Sequence, residues 1–210
     1  KRSLDYAEKL GAQAVVIHPG SIPMDKDFDA LLKGLYTKAV MCNNDFCENF
    51  QKIATRREEK DSGYLRRFLD SMEGLPADIK YEAVFNEMLD KRKKRSPVYV
   101  ELIQNSLEEL SNYIAMKNYN VKMAIENRAK CNQIPDFEEA ALLLDKLDGL
   151  PVFFWYDTGH GIMMENLGLF NNLDGAYALA DKTIGMHIHD AYGTFDHWCP
   201  YTFGDSFDKF

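Results

Sequence analysis

The tightest constraint on this chain is a set of four short apolar runs, each rich in β-branched or aromatic residues. They are AVVI ending at Ile17, VKMAI ending at Ile125, VFFWY ending at Tyr156 and IGMHI ending at Ile188. Each is too short for a buried helix and too continuously apolar to be half exposed, so each is predicted to be a buried strand. Patterns of helical period lie between them. SPVYVELIQNSLEELSNYIAMKN leads into the second run and DFEEAALLLDKL into the third, and KRSLDYAEKLGA precedes the first. DFEEAALLLDKL opens with Asp136 and carries Glu139 three residues on, which predicts a capping box. Strands alternating with helices predict an α/β fold on a parallel sheet.

Residues 28–93 break that alternation. FDALLKGLYTKAV, YLRRFLDSM and YEAVFNEMLDKRKKR all carry apolar residues at helical spacing and no strand pattern, so this stretch is predicted to be a helical insertion. Its basic run, Lys91 to Arg95, reads as a solvated helix end rather than a polyanion contact. The net charge of −8 also makes nucleic acid an unexpected partner, since affinity for it comes largely from basic surface. No apolar run is long enough for a membrane span, and the first residues have no signal-peptide core. Cys42, Cys47, Cys131 and Cys199 form no C-x-x-C pair, so reduced thiols and a cytoplasmic location are expected. With no initiator methionine, the chain is expected to be part of a longer one.

The polar residues fall on this frame in a pattern. All five histidines, His18, His160, His187, His189 and His197, lie at or a few residues beyond the carboxyl end of a predicted strand. Glu126 follows the second strand and Asp157 the third. Alternation puts His187 and His189 on one face of the fourth strand and Met186 and Ile188 on the other. Glu126 likewise shares its face with Ala124, opposite Met123 and Ile125. The apolar faces are expected to pack under helices, and the polar residues to converge at one end of the sheet, where α/β folds build their sites. One histidine at a strand end is usually a hydrogen-bonded core residue, and one aspartate there is often a helix cap. Four strands ending this way together point to a divalent cation, because clustered carboxylates are costly without one.

The motifs VVIHPG, MAIENR, YDTGH and MHIHDAYGTFDH resemble, in order, the strand-end motifs of the xylose isomerase-like TIM barrels. That superfamily includes sugar phosphate isomerases/epimerases and an apurinic-endonuclease branch. The resemblance implies a (β/α)8 barrel, here incomplete, with about four βα units across residues 1–210 and the helical insertion within it. It implies metal ligands at Glu126, Asp157 and His187. It makes His160 a substrate contact or further ligand, and His18 similar to a ligand of a second metal. Asp196 and His197 resemble a D-x-H pair, although here the two are adjacent. The family's last metal-binding glutamate has no counterpart before Phe210, so the remaining strands are expected to lie outside this sequence.

The resemblance further implies a divalent-metal-dependent sugar or sugar-phosphate isomerase/epimerase working by enediolate proton transfer. Glu126 would be ligand and base, and His160 would orient a hydroxyl. His189 and Trp198 would contact substrate, with Tyr201 as a second possible stacking surface and Gly193 turning the closing loop GTFDHW. One Mn, Mg, Co or Zn ion is expected. Two alternatives stand beside this reading. One is a multi-zinc phosphodiester hydrolase of the apurinic-endonuclease type with two to three Zn; the other is a non-catalytic barrel relative that binds a partner. A small sugar is the expected partner, and an open partial barrel is expected to need either a covering partner, a second copy included, or its missing portions.

Overall fold

A computed structural model describes residues 1–41 and 76–200. The first elements are α1 (Arg2–Leu10), β1 (Ala14–Ile17), β2 (Gly20–Ser21), α2 (Phe28–Met41) and α3 (Pro76–Lys117). Then come β3 (Lys122–Glu126), β4 (Gln133–Ile134), α4 (Phe137–Lys146), β5 (Val152–Asp157) and α5 (Thr158–Asn166). The chain continues through α6 (Asn172–Ala178), a 3-10 turn (Ala180–Lys182), β6 (Thr183–His187), β7 (Asp190–Tyr192) and β8 (Phe195–Trp198).

The four expected strands form one parallel sheet in the order β1-β3-β5-β6. Each new strand is added on the same side of the last, so right-handed crossovers place all the connecting helices on one face. That winding is the arc of a barrel, not a doubly wound sheet, which would reverse direction. The core follows from it. Met123, Ile125, Val152, Phe154 and Tyr156 point outward and pack against Leu4 of α1, Ile103 and Leu107 of α3, and Phe137 and Leu143 of α4. Strand partners on the opposite, inner face include Ala124 with Phe153, and Glu126 with Trp155. Helix α4 begins with the predicted capping box: the Asp136 side chain accepts from the Glu139 N–H, and the Glu139 side chain from the Asp136 N–H.

A second apolar cluster joins α2 and the first half of α3 to the site's surroundings. Phe28, Leu32 and Tyr36 of α2 and Tyr81 and Met88 of α3 pack with Met163 and Met164 of α5, with Leu167 just after it and with Ala191 of β7. The limit drawn at residue 93 falls inside α3, which runs unbroken through Pro97. The basic run is not a solvated helix end. Lys91 pairs with Asp25, Arg92 is buried, and Arg95 donates to the Pro23 carbonyl. Lys93 and Lys94 are exposed as expected, while the inner side of the helix meets residues 20–25 and 130–136. YLRRFLDSM, Cys42, Cys47 and Tyr201 lie outside the described residues.

Two other expectations need correction. Met186 and Ile188 are 40% and 57% exposed rather than packed under a helix. After β6 the chain enters a hairpin instead of a covering helix, and β6 borders the described sheet. The loop expected over GTFDHW is largely strand: β7 and β8 pair antiparallel, with Gly193 at φ 59 in the turn. Among the described residues, no helix is long and apolar enough to cross a membrane.

Candidate metal centre

The carboxyl ends of β3, β5 and β6 bring Glu126, Asp157 and His187 together. The two carboxylates are almost fully buried, 1% and 2% exposed. His187 Nδ1 lies 2.6 Å from Glu126 Oε1 and 3.5 Å from Asp157 Oδ2. On the other oxygen, Glu126 Oε2 accepts from Arg128 Nη1 at 2.8 Å and lies 2.5 Å from His18 Nε2. Arg128 is itself nine-tenths buried, so it supplies a fixed positive charge beside Glu126.

Asp157 fills both roles open to an aspartate after a strand. Its Oδ1 accepts the His160 N–H at 2.8 Å and caps α5, while both oxygens face imidazoles: His189 Nε2 lies 2.9 Å from Oδ1 and 3.0 Å from Oδ2, and His187 Nδ1 lies 3.5 Å from Oδ2. Asn127 clamps its backbone from both sides, donating to the Asp157 carbonyl at 2.9 Å and accepting its N–H at 2.7 Å. The carboxylate is therefore held by the end of the sheet and the start of the helix at once.

The histidine tautomers follow from their partners. His160 Nδ1 is 3.0 Å from the Asn127 carbonyl, which can only accept, so Nδ1 carries the proton. That leaves Nε2 open to the site, 3.4 Å from Asp196 Oδ2. A backbone carbonyl on the far nitrogen is the usual support for a metal-binding imidazole. His189 is fixed the other way round: its Nδ1 accepts the His197 N–H at 3.0 Å, so Nε2 donates to Asp157 at 2.9 Å. His197 sits at φ 64 and stacks on His189 with centroids 4.5 Å apart. Its own Nδ1 lies 3.0 Å from Asp196 Oδ1.

Three overlapping sets emerge: Glu126, Asp157 and His187; Asp157, His160 and His189; and His189, Asp196 and His197. Within each set the donor atoms lie within 4.8 Å of one another. Each set thus gathers oxygen and nitrogen donors closely enough to make it a candidate site for one small divalent cation. The oxygen and nitrogen donors suit Mg, Mn, Co or Zn alike. Polar contacts bring His18, Glu126, Asp157, His160, His187, His189, Asp196 and His197 into this cluster, and Trp198 stands on β8, 45% exposed. Sequence reasoning missed Asn127 and Arg128 as supports, although both adjoin Glu126 in the ENR of MAIENR. It also missed Thr158, whose hydroxyl donates to the His189 carbonyl at 2.7 Å.

A family model of the xylose isomerase-like TIM barrel matches residues 1–210. The chain belongs to that family. No curated protein and no solved structure matches it. Xylose isomerase-like barrels cover sugar isomerases/epimerases and apurinic-endonuclease-like enzymes and are often metal-dependent, which agrees with the parallel arc and the donor sets at its carboxyl end.

Two predictions arise from this geometry of the xylose isomerase-like site. Burial pushes the His160 pKa down despite the opposing Asp157 charge, whereas the Asp196 hydrogen bond and charge push that of His197 up. Titration of the metal-free chain by NMR is expected to place His160 below and His197 above the ordinary histidine value of about 6.5. Because the folded pKa of His197 is raised, its pairing stabilises fully below that value and fades as pH rises through the folded pKa. Asp196→Asn is expected to bring the His197 midpoint down. Second, a Cβ at Gly159 would overlap the His189 ring. Gly159→Ala is expected to displace His189 from Asp157 and to cost about 1–3 kcal/mol in a denaturant titration.

Proposed function

We propose that the chain is the metal-binding portion of a divalent-metal-dependent sugar or sugar-phosphate isomerase/epimerase. The observation that carries this reading is the convergence of Glu126, Asp157 and His187 from three neighbouring strand ends, with both carboxylates buried. A cation held by that set would stabilise the negative charge that develops on a substrate oxygen as a carbon-bound proton leaves. The chain's own residues do the positioning. Arg128 and His18 orient Glu126, our candidate for both ligand and proton acceptor, and Asn127 presents His160 with Nε2 toward a substrate hydroxyl. His189 holds Asp157 in place, and β8 carries Trp198 at the exposed rim, where it would meet a sugar face.

The His189, Asp196 and His197 set favours a second reading, a two- or three-zinc phosphodiester hydrolase. The net charge of −8 weighs against a nucleic acid substrate for it. Incubating the Mn- or Co-loaded chain with ketoses and their phosphates in D2O separates the two. The isomerase reading predicts deuterium at the carbon beside the carbonyl, seen by NMR, and no hydrolysis of bis(p-nitrophenyl) phosphate. Hydrolysis without any carbon exchange would overturn it.

A further inference from the structure

We infer that Trp155 is a positioning residue for His187, its indole reaching the imidazole through the space that Gly185 leaves open; this rests on the metal-binding reading of the site. Trp155 is the strand partner of both Glu126 on β3 and Gly185 on β6, so it lies between two strands that deliver site residues. Parallel partners project to the same side, which puts the indole on the inner face beneath the cluster. At residue 185 there is no side chain, and a Cβ there would overlap the six-membered half of the indole. The ring therefore spreads across β6, where it meets the His187 imidazole edge to face, with centroids 5.3 Å apart and planes at 65°.

The contact matters because the carboxylates of Glu126 and Asp157 hold only one nitrogen of His187, Nδ1, and leave its ring plane to be fixed by something else. Its side chain is 47% exposed and its Nε2 has no partner among the described residues' hydrogen bonds, unlike His160 and His189, whose second nitrogens are fixed by backbone groups. An imidazole without a backbone tether needs another constraint on its ring plane, and the indole supplies one. Among the described residues the buried Trp155 Nε1 has no hydrogen-bond partner, so no polar contact of its N–H accounts for the ring's position there. An unpaired buried donor costs stability. What the site uses is the ring.

The test compares Trp155→Phe, which keeps a ring, with Trp155→Ala, which does not. Trp155→Leu, apolar but without a ring face, replaces the alanine variant should that one not fold. In the metal-free chain, the His187 ring protons, assigned by their loss in His187→Gln, are expected to carry an aromatic ring-current shift that persists in Trp155→Phe and vanishes in Trp155→Ala. Calorimetric titration with Co(II) is expected to show binding weakened about 10–100-fold in Trp155→Ala and nearly restored in Trp155→Phe. Equal Co(II) affinity in all three, or equal loss in phenylalanine and alanine variants, would overturn the inference. Ring shifts that follow the expected pattern in a wild-type chain that binds no Co(II) would support the positioning of His187 while overturning the metal reading.

Discussion

Replacing Glu126 with alanine is expected to abolish divalent-cation binding and to destabilise the fold by about 3–5 kcal/mol, the cost of leaving one partner of a buried ion pair alone. The partner is Arg128, whose buried guanidinium donates to Glu126 Oε2 at 2.8 Å. Removing the carboxylate also takes away the acceptor facing His18 and His187, so three groups lose their common partner. Glu126→Gln separates the two effects. It keeps the volume and an acceptor oxygen for Arg128 but removes the charge. The glutamine variant should therefore recover much of the stability and little of the cation affinity. Denaturant midpoints beside calorimetric Mn(II) titrations give both numbers. An alanine variant that melts like the wild type would contradict the buried pairing.

The second large effect lies away from the site. Arg92→Ala is expected to cost about 3–5 kcal/mol by the same reasoning. Arg92 Nη1 donates to the Cys131 and Gln133 carbonyls at 2.9 Å each, and Nη2 to Asp136 at 3.1 Å and Glu139 at 2.5 Å. One buried side chain thus ties α3 to the loop after β3 and to the capping box of α4. Burial, followed by the Asp136 charge, raises the Glu139 pKa, and Arg92 opposes both. A carboxyl with a raised folded pKa favours the fold below its unfolded value of about 4.5 and disfavours it as pH rises through the folded one. Without Arg92 that rise is larger, so the variant's deficit should be greater at pH 7 than at pH 4. Urea titrations at the two pH values check the sign; a deficit that does not change with pH would contradict it.

The strands were legible in the sequence because buried parallel strands must be apolar on both faces, and AVVI, VKMAI, VFFWY and IGMHI have few other uses. The site residues were legible for a related reason. A polar side chain at the end of such a run, on the face opposite Met123 or Met186, can only sit where the sheet opens. Helix α5 was harder to see. TGHGIMMEN has two glycines and no polar stripe, since it is buried on most sides, and its start is fixed by the Asp157 cap rather than by its own pattern. The β7–β8 hairpin was hidden because DAY and FDHW show no apolar alternation; it forms from backbone pairing beside the site. The patterns YEAVFNEMLDKRKKR and SPVYVELIQNSLEELSNYIAMKN belong to one helix, since α3 continues through Pro97 with Tyr81 and Met88 packed in one cluster and Val100, Ile103 and Leu107 in the other. Packing on both sides outweighs the local cost of about 3 kcal/mol for an interior proline.

The most direct test of the account is the metal content of the purified chain, measured by inductively coupled plasma mass spectrometry beside Glu126→Ala. A single cation held by Glu126, Asp157 and His187 predicts about one equivalent of divalent metal in the wild type and none in the variant. Two or three equivalents of zinc, or metal retained without Glu126, would contradict it.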